Sequence, residues 1–177
     1  MNTDIFKVFI LEDMQLDLEL NKRQVRKYNP EVLFAVARNR TEFEEKLVDF
    51  QPDIVLSDYN LPDMNGLEAL LYVREHLDGT PFIFITGILN DEEKVAETIL
   101  SGASGYLLKE NIKNLPDLLT TVVAQNSQVM QQREQDWQRR KEQQLALQKA
   151  IGTLRNADFA GKDEVLSELL KLTDGLA

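Results

Sequence analysis

Residues 53–66 read DIVLSDYNLPDMNG, and this stretch decides the predicted fold. Ile54, Val55 and Leu56 form a short apolar run typical of a buried strand, and the Asn, Pro, Asp and Gly residues after it predict a turn-rich loop. Asp58 stands where the strand ends. Ligands of open α/β sheets bind outside the carboxyl ends of the strands. If the sheet is parallel, we therefore expect the chemistry of this protein at Asp58.

The flanking sequence alternates between strand-like and helix-like segments. Strands are predicted at residues 6–11, 32–37, 53–57, 82–85 and 105–108. Helices are predicted at about residues 16–29, at 66–77, at 91–102, and from Leu115 or Pro116 onward. A further helix is predicted to begin at a capping box formed by Thr41 and Glu44. This alternation requires crossover connections and hence a parallel sheet covered on both faces. The expected fold is α/β, a doubly wound (βα)5 arrangement with flavodoxin-like strand order.

Composition narrows the functional classes. The chain has 177 residues, a formal net charge of -10, no cysteine and one histidine. Such a charge argues against a broad nucleic-acid surface and favours protein partners. Without cysteine the chain has no disulfide and no thiolate nucleophile, so a bound metal would have oxygen ligands. With no long apolar run and no signal segment at the start, no membrane span is expected and the expected location is cytoplasmic.

The composition changes after residue 124. Residues 125–144 are rich in glutamine and charge and contain neither glycine nor proline, which predicts a solvated helical extension. Its heptad pattern is weak, so a coiled coil is compatible with it but not required. A turn is predicted over residues 152–161 and an amphipathic helix over 164–172. We therefore divide the chain into a domain at 1–124 and a helical extension at 125–177, a possible dimerisation or linker element.

Four strand ends carry polar residues that converge on one sheet edge if the sheet is parallel. They present the pair Glu12 and Asp13, then Asp58, Thr86 and Lys109. Crowded carboxylates need either raised pKa values or a cation, and Mg2+ prefers such oxygen ligands. A carboxylate, Mg2+, a hydroxyl and a lysine together suit phosphoryl transfer, with Asp58 as the nucleophile.

The motifs LEDM, LSDYNLPDMNG, FITG and GASGYLLK, in this order, resemble the receiver domain of two-component response regulators over about residues 6–124. The resemblance implies that Asp58 accepts a phosphoryl group from a histidine kinase or a phosphotransfer protein. It also implies that Thr86 and Lys109 bind phosphoryl oxygens and that Tyr106 is a switch residue. A change of shape at the fourth helix, fifth strand and fifth helix would then address a downstream protein partner.

By the same resemblance, Mg2+ is held directly or through water by four groups. These are Glu12, Asp13, Asp58 and the backbone carbonyl of Asn60.

Two positions depart from the family pattern. Glu110 follows Lys109 where the family usually has a proline joined by a cis peptide, so the path of the next loop is open. Ile88 is apolar where many relatives are polar, and we expect it to screen the attacking water and slow dephosphorylation.

Two other functions stay open at this point. One is a Mg2+-dependent phosphohydrolase with an aspartyl nucleophile, which the asparagine at position 60 disfavours because the haloacid-dehalogenase pattern has an aspartate there. The other is a nucleic-acid-binding helical output, faintly indicated by Ala150, Gly152 and Leu154 and disfavoured by the acidic end of the chain.

Overall fold

A computed structural model of the chain describes residues 5–87 and 101–156 and positions 163, 165 and 167. Its centre is one five-stranded sheet in the order β2-β1-β3-β4-β5, with every neighbouring pair parallel. The strands are β1 Lys7–Leu11, β2 Leu33–Ala37, β3 Ile54–Ser57, β4 Phe82–Thr86 and β5 Gly105–Leu108. The predicted fold class is confirmed, and each strand lies within one residue of its predicted bounds.

Helices connect the strands. They are α1 Gln15–Tyr28, α2 Arg40–Phe50 and α3 Gly66–His76, followed after β5 by a 3-10 helix at Lys109–Asn114 and a long helix at Leu115–Asn156. The helix predicted from Asp91 lies outside the described residues. The long helix begins at Leu115, as predicted, with proline in its first turn.

The predicted capping box of α2 is wrong. The N-cap is Asn39, whose side chain accepts a hydrogen bond of 2.9 Å from the Glu42 N–H. Asparagine is among the best N-cap residues because its short side chain reaches the free N–H groups of the first turn. Thr41 therefore lies inside the helix, and α2 begins at Arg40.

The sheet buries apolar side chains on both faces, as a doubly wound fold requires. One face packs against α2 and α3, with Phe9, Phe43, Leu47, Leu70, Val73 and Phe84 in its core. The other packs against α1 and the start of the long helix, with Ile10, Leu18, Val25, Ile83, Leu119 and Val122 in its core. One residue of the predicted apolar side of α3 faces solvent instead, since Leu71 is 54% exposed.

The chain divides into two compact units, Met1–Met130 and Gln131–Ala177. The domain boundary predicted after residue 124 falls inside the first unit. The second unit includes the end of the long helix, which runs through Gly152 to Asn156, so the turn predicted from 152 is wrong at its start. A Cβ at Gly152 would meet no atom of the described residues within 4 Å, and an isolated glycine costs a helix only about 1 kcal/mol.

The helix predicted at 164–172 lies largely outside the described residues, although Val165 and Ser167 are helical. No helix among the described residues combines the length and apolar character that a membrane span requires.

Candidate functional site

Two buried carboxylates lie at the carboxyl ends of the neighbouring strands β1 and β3. The Glu12 N–H donates to the carbonyl of Ala37 at 3.0 Å, and the Asp58 N–H donates to the carbonyl of Leu11 at 3.0 Å. Each bond continues the parallel ladder by one residue, so the sheet fixes both backbones. Glu12 is fully buried and Asp58 is 8% exposed. The acceptor candidate is thus rigidly placed and still reachable from solvent.

Glu12, Asp13 and Asp58 form one acidic cluster. Each offers a carboxylate oxygen, and these three atoms lie within 4.8 Å of one another. Burial raises the pKa of the Glu12 carboxyl, and the charge of Asp58 raises it further. The pair with Lys109 and a hydrogen bond of 3.1 Å from the Met14 N–H act in the opposite direction.

The donor set of this cluster fits a hard divalent cation, because it consists only of oxygen atoms. In addition, Glu12 Oε2 is buried and has no hydrogen bond of good geometry, although it lies at an ion-pair distance of 2.9 Å from Lys109 Nζ. A buried carboxylate oxygen without a hydrogen bond is costly unless a charge compensates it.

Lys109 supplies the positive charge of the site. Its Nζ lies 2.7 Å from Asp58 Oδ2 and 2.6 Å from Asp17 Oδ2, in addition to the 2.9 Å contact with Glu12. Burial lowers the pKa of the Lys109 ammonium. The hydrogen bonds to Asp17 and Asp58 and the pair with Glu12 outweigh this effect and raise that pKa above its ordinary value. Lys109 is therefore charged in this structure.

The sequence pattern does not single out Asp17 as a site residue. It lies in the first turn of α1, and its side chain is 31% exposed. In the sequence, Asp17 is marked only as an acidic residue in the first turn of the helix that follows Glu12 and Asp13. An acidic residue there is common without any function, because it interacts favourably with the helix dipole.

Thr86 and Tyr106 lie on the neighbouring strands β4 and β5. Thr86 ends β4, is 2% exposed, and its Oγ1 has no hydrogen-bond partner within the described part of the chain. Tyr106 is half-buried in β5, opposite Phe84 of β4. Burial raises the pKa of the Tyr106 hydroxyl, and the charge of Asp58 raises it further.

The loop after Asp58 folds back on itself. The Asn60 N–H donates to Asp58 Oδ1 at 3.2 Å, Asn60 forms a single antiparallel bridge with Asn65, and the Gly66 N–H donates to the carbonyl of Tyr59 at 2.8 Å. Asn65 then caps α3 by accepting a hydrogen bond from the Glu68 N–H at 2.8 Å. These bonds hold the loop against the start of α3.

The structure shows the backbone path at one of the two positions that depart from the family pattern. No peptide bond in the described residues is cis, and the chain after β5 enters the 3-10 helix Lys109–Asn114 directly. Glu110 therefore lies in that helix and not in a loop set by a cis peptide. Ile88 lies outside the described residues, so its expected effect on dephosphorylation stays a prediction.

Comparison with known proteins gives a family match. The family model of the response regulator receiver domain matches residues 8–122, more than half of the chain. Among solved structures, the chemotaxis response regulator CheY4 of Vibrio cholerae aligns with a TM-score of 0.58 and 26% identity, over 67% of this chain and 98% of that one.

Two curated relatives illustrate the range of matching proteins. The nitrate/nitrite response regulator protein NarL of Escherichia coli strain K12 is 32% identical over 111 residues, which are 62% of this chain and 50% of NarL. A protein-glutamate methylesterase/protein-glutamine glutaminase of Carboxydothermus hydrogenoformans is 33% identical over 105 residues, 58% of this chain and 29% of that protein. The chain thus spans half or less of the length of both relatives.

Proposed function

Because this chain belongs to the response regulator receiver domain family of two-component systems, we propose that it accepts a phosphoryl group on Asp58 from a histidine kinase or a phosphotransfer protein. One observation carries the proposal. The Asp58 carboxylate lies at the sheet edge, nearly buried, 2.7 Å from the Lys109 ammonium and within the acidic cluster. A lone loop aspartate would have neither the charge partner nor the neighbouring carboxylates.

In the proposed reaction an Asp58 carboxylate oxygen attacks the phosphorus of a phosphohistidine. The new bond joins oxygen to phosphorus, and the phosphorus–nitrogen bond of the donor breaks with its electron pair left on the imidazole. Catalysis of such a transfer consists mainly of positioning and of neutralising the charge on the moving group. The sheet does the first through the fixed Asp58 backbone, and Lys109 contributes to the second.

Mg2+ is the proposed cofactor. The oxygen-only donor set and the buried Glu12 Oε2 fit it, and Glu12, Asp13 and Asp58 with the backbone carbonyl of Asn60 would hold it. When bound, it would supply positive charge for the phosphoryl oxygens. Lys109, whose Nζ lies 2.7 Å from Asp58 Oδ2, would pair with a phosphoryl oxygen.

We propose that Thr86 and Tyr106 change position when Asp58 is phosphorylated. A buried hydroxyl without a hydrogen-bond partner is unfavourable, so a phosphoryl oxygen within reach would give Thr86 Oγ1 its missing interaction. Movement of Thr86 towards the site would make room for the half-buried ring of Tyr106 to turn inward. The charge of the phosphoryl group would in this way change the shape of the protein at β4 and β5.

The chemistry proposed for the chain is limited to its own phosphorylation and dephosphorylation. The haloacid-dehalogenase pattern of aspartyl phosphohydrolases has an acid/base aspartate two residues after the nucleophile. Here that position holds Asn60, whose backbone N–H donates to Asp58 Oδ1. An amide side chain does not ionise near neutral pH and so cannot act as a general acid or base, and we keep the phosphohydrolase only as the alternative.

We propose a protein, and not a nucleic acid, as the downstream partner. The formal charge of -10 opposes a phosphate backbone. The long helix exposes apolar side chains, with Val129 47% and Leu145 59% exposed, which suits contact with a protein or with a second copy of the chain. Sedimentation of the unphosphorylated and phosphorylated protein tests this output. Salt-sensitive retention of RNA would favour the nucleic-acid alternative.

The acceptor is tested with a small phosphodonor, acetyl phosphate, in the presence of Mg2+. Intact-protein mass spectrometry should show the gain of one phosphoryl group in the wild type and none in Asp58→Ala. Asp63→Asn is a matched control in the same loop, because the asparagine oxygen can still accept one of the two hydrogen bonds, of 3.0 and 3.2 Å, that the Arg40 N–H donates to the Asp63 carboxylate. A gain that persists in Asp58→Ala contradicts the proposal.

A further inference from the structure

Asp17 takes part in the site without a place in the proposed reaction. It is a residue of α1, whereas Lys109 begins the 3-10 helix 92 positions later in the chain. Asp17 Oδ2 lies 2.6 Å from Lys109 Nζ, the shortest of the three carboxylate contacts of this ammonium. In the part of the chain that the structure describes, Lys109 is the one cationic partner of Asp17.

The partners of Lys109 decide what this contact does. Among the described residues, Nζ donates hydrogen bonds to Asp17 Oδ2 and Asp58 Oδ2, whereas Glu12 Oε2 lies at an ion-pair distance of 2.9 Å without a hydrogen bond. A phosphoryl group on Asp58 takes the place of the Asp58 carboxylate beside Lys109. Asp17 is then the hydrogen-bonded carboxylate with which the phosphoryl group must share this ammonium.

The three carboxylates differ in how readily they release Lys109. Glu12 and Asp58 gain another partner when a cation binds the acidic cluster. Asp17 lies outside that cluster and is already 31% exposed, so water can solvate it when Lys109 leaves. Until it is released, its negative charge opposes the arrival of a second anion at the same ammonium.

We propose that Asp17 is a positioning residue that holds Lys109 in the resting state and competes with the phosphoryl group for it. The inference rests on the proposed function of Asp58. It predicts that removal of the Asp17 charge strengthens phosphoryl binding, because Glu12 and Asp58 still keep Lys109 at the site. A purely structural contact between α1 and the 3-10 helix predicts the opposite, since its loss would leave Lys109 less well placed.

The test uses fluoroberyllate with Mg2+ as a non-covalent mimic of the phosphoryl group, and 19F NMR measures its affinity for the full chain. Asp17→Asn keeps the shape of the side chain and removes its charge. It should bind fluoroberyllate roughly threefold to tenfold more tightly than the wild type, the range between an exposed ion pair and a hydrogen bond to a charged group. The matched control is Glu19→Gln, which removes the same charge from α1 at a residue that pairs with Lys22.

A second measurement shows whether Asp17 acts through Lys109. The NMR signal of the Lys109 ammonium should differ between wild type and Asp17→Asn before the mimic binds and coincide afterwards, because Asp17 has by then released the ammonium. A difference that survives binding overturns the competition. So does an Asp17→Asn affinity equal to or weaker than that of the wild type. Wild-type protein that binds no fluoroberyllate overturns the proposed function together with this inference.

Discussion

Gly66 has no space for a side chain, and its replacement by alanine tests the packing of the acceptor loop. A Cβ at this position would lie 2.6 Å from Phe84 Cε1, 2.9 Å from the Asp58 carbonyl oxygen and 2.9 Å from Tyr59 Cα. Two of these three atoms belong to the backbone of the loop, which cannot turn aside as the end of a flexible side chain can. The loop after β3 must therefore move if Gly66 becomes alanine.

The magnitude follows from two opposing effects. Overpacking a closely packed site costs about 1–3 kcal/mol. Alanine in place of glycine recovers up to about 1 kcal/mol through its higher helix propensity, since Gly66 begins α3. We expect Gly66→Ala to lower the free energy of unfolding of the first unit by about 1–2 kcal/mol.

Native-state hydrogen exchange of the β3 amides measures this loss, because core strand amides exchange through the most extensive opening of their unit. The matched control is Gly87→Ala, whose Cβ would meet, among the described residues, only Lys109 Cδ at 3.8 Å, an ordinary contact. Gly87→Ala should change the opening free energy by less than about 0.5 kcal/mol. Equal protection in Gly66→Ala and the wild type would refute the close approach of Gly66 to the loop.

The other predictions concern stability. Asn39→Ala should cost about 1 kcal/mol in urea unfolding and Thr41→Ala less than about 0.5 kcal/mol, and the reverse order would contradict the assigned N-cap. Phe43→Ala should cost about 3–5 kcal/mol by the same assay, because its ring is fully buried between α2 and the sheet. Gly152→Ala should raise the thermal stability of the helix followed by circular dichroism, since alanine has the higher helix propensity and its Cβ would meet no atom of the described part of the chain within 4 Å. Burial raises the pKa of the Tyr28 hydroxyl, so the folded state keeps this proton longer than the unfolded chain and loses stability as the pH rises above about 10. Tyr28→Phe should lose less stability than the wild type over that rise, and an identical loss would show that Tyr28 does not cause it.

The sequence was sufficient for those features that depend on strand direction. Once alternation established parallel strands, residues that follow strands had to meet at one edge, and Glu12, Asp58 and Lys109 do meet there. The same logic places Thr86 at the end of β4, because only the order and direction of strands enter it.

The sequence was insufficient to predict features for which the local residues allow more than one structure. Asn39 and Thr41 are both acceptable caps by residue type, and the backbone turn out of β2 makes Asn39 extended and so the actual cap. Asp17 could face solvent, as other first-turn carboxylates do, until the 3-10 helix brings Lys109 to it. Glycine often ends a helix, but here the long helix continues through Gly152. For Asp17 the outcome depends on a neighbour distant in the chain, whereas at Gly152 the helix continues because one glycine costs it only about 1 kcal/mol.

The geometry separates a fixed part of the site from a movable one. Glu12 and Asp58 are bound into the sheet through their own N–H groups, each by a bond of 3.0 Å. The Lys109 ammonium is instead held at the end of a flexible stem by three carboxylates, one in α1 and the others directly after β1 and β3. We therefore expect an added charge at the carboxyl ends of the strands to change the partners of Lys109 before it disturbs the strands. Since Lys109 also begins the 3-10 helix, we expect that short helix to respond to the same change.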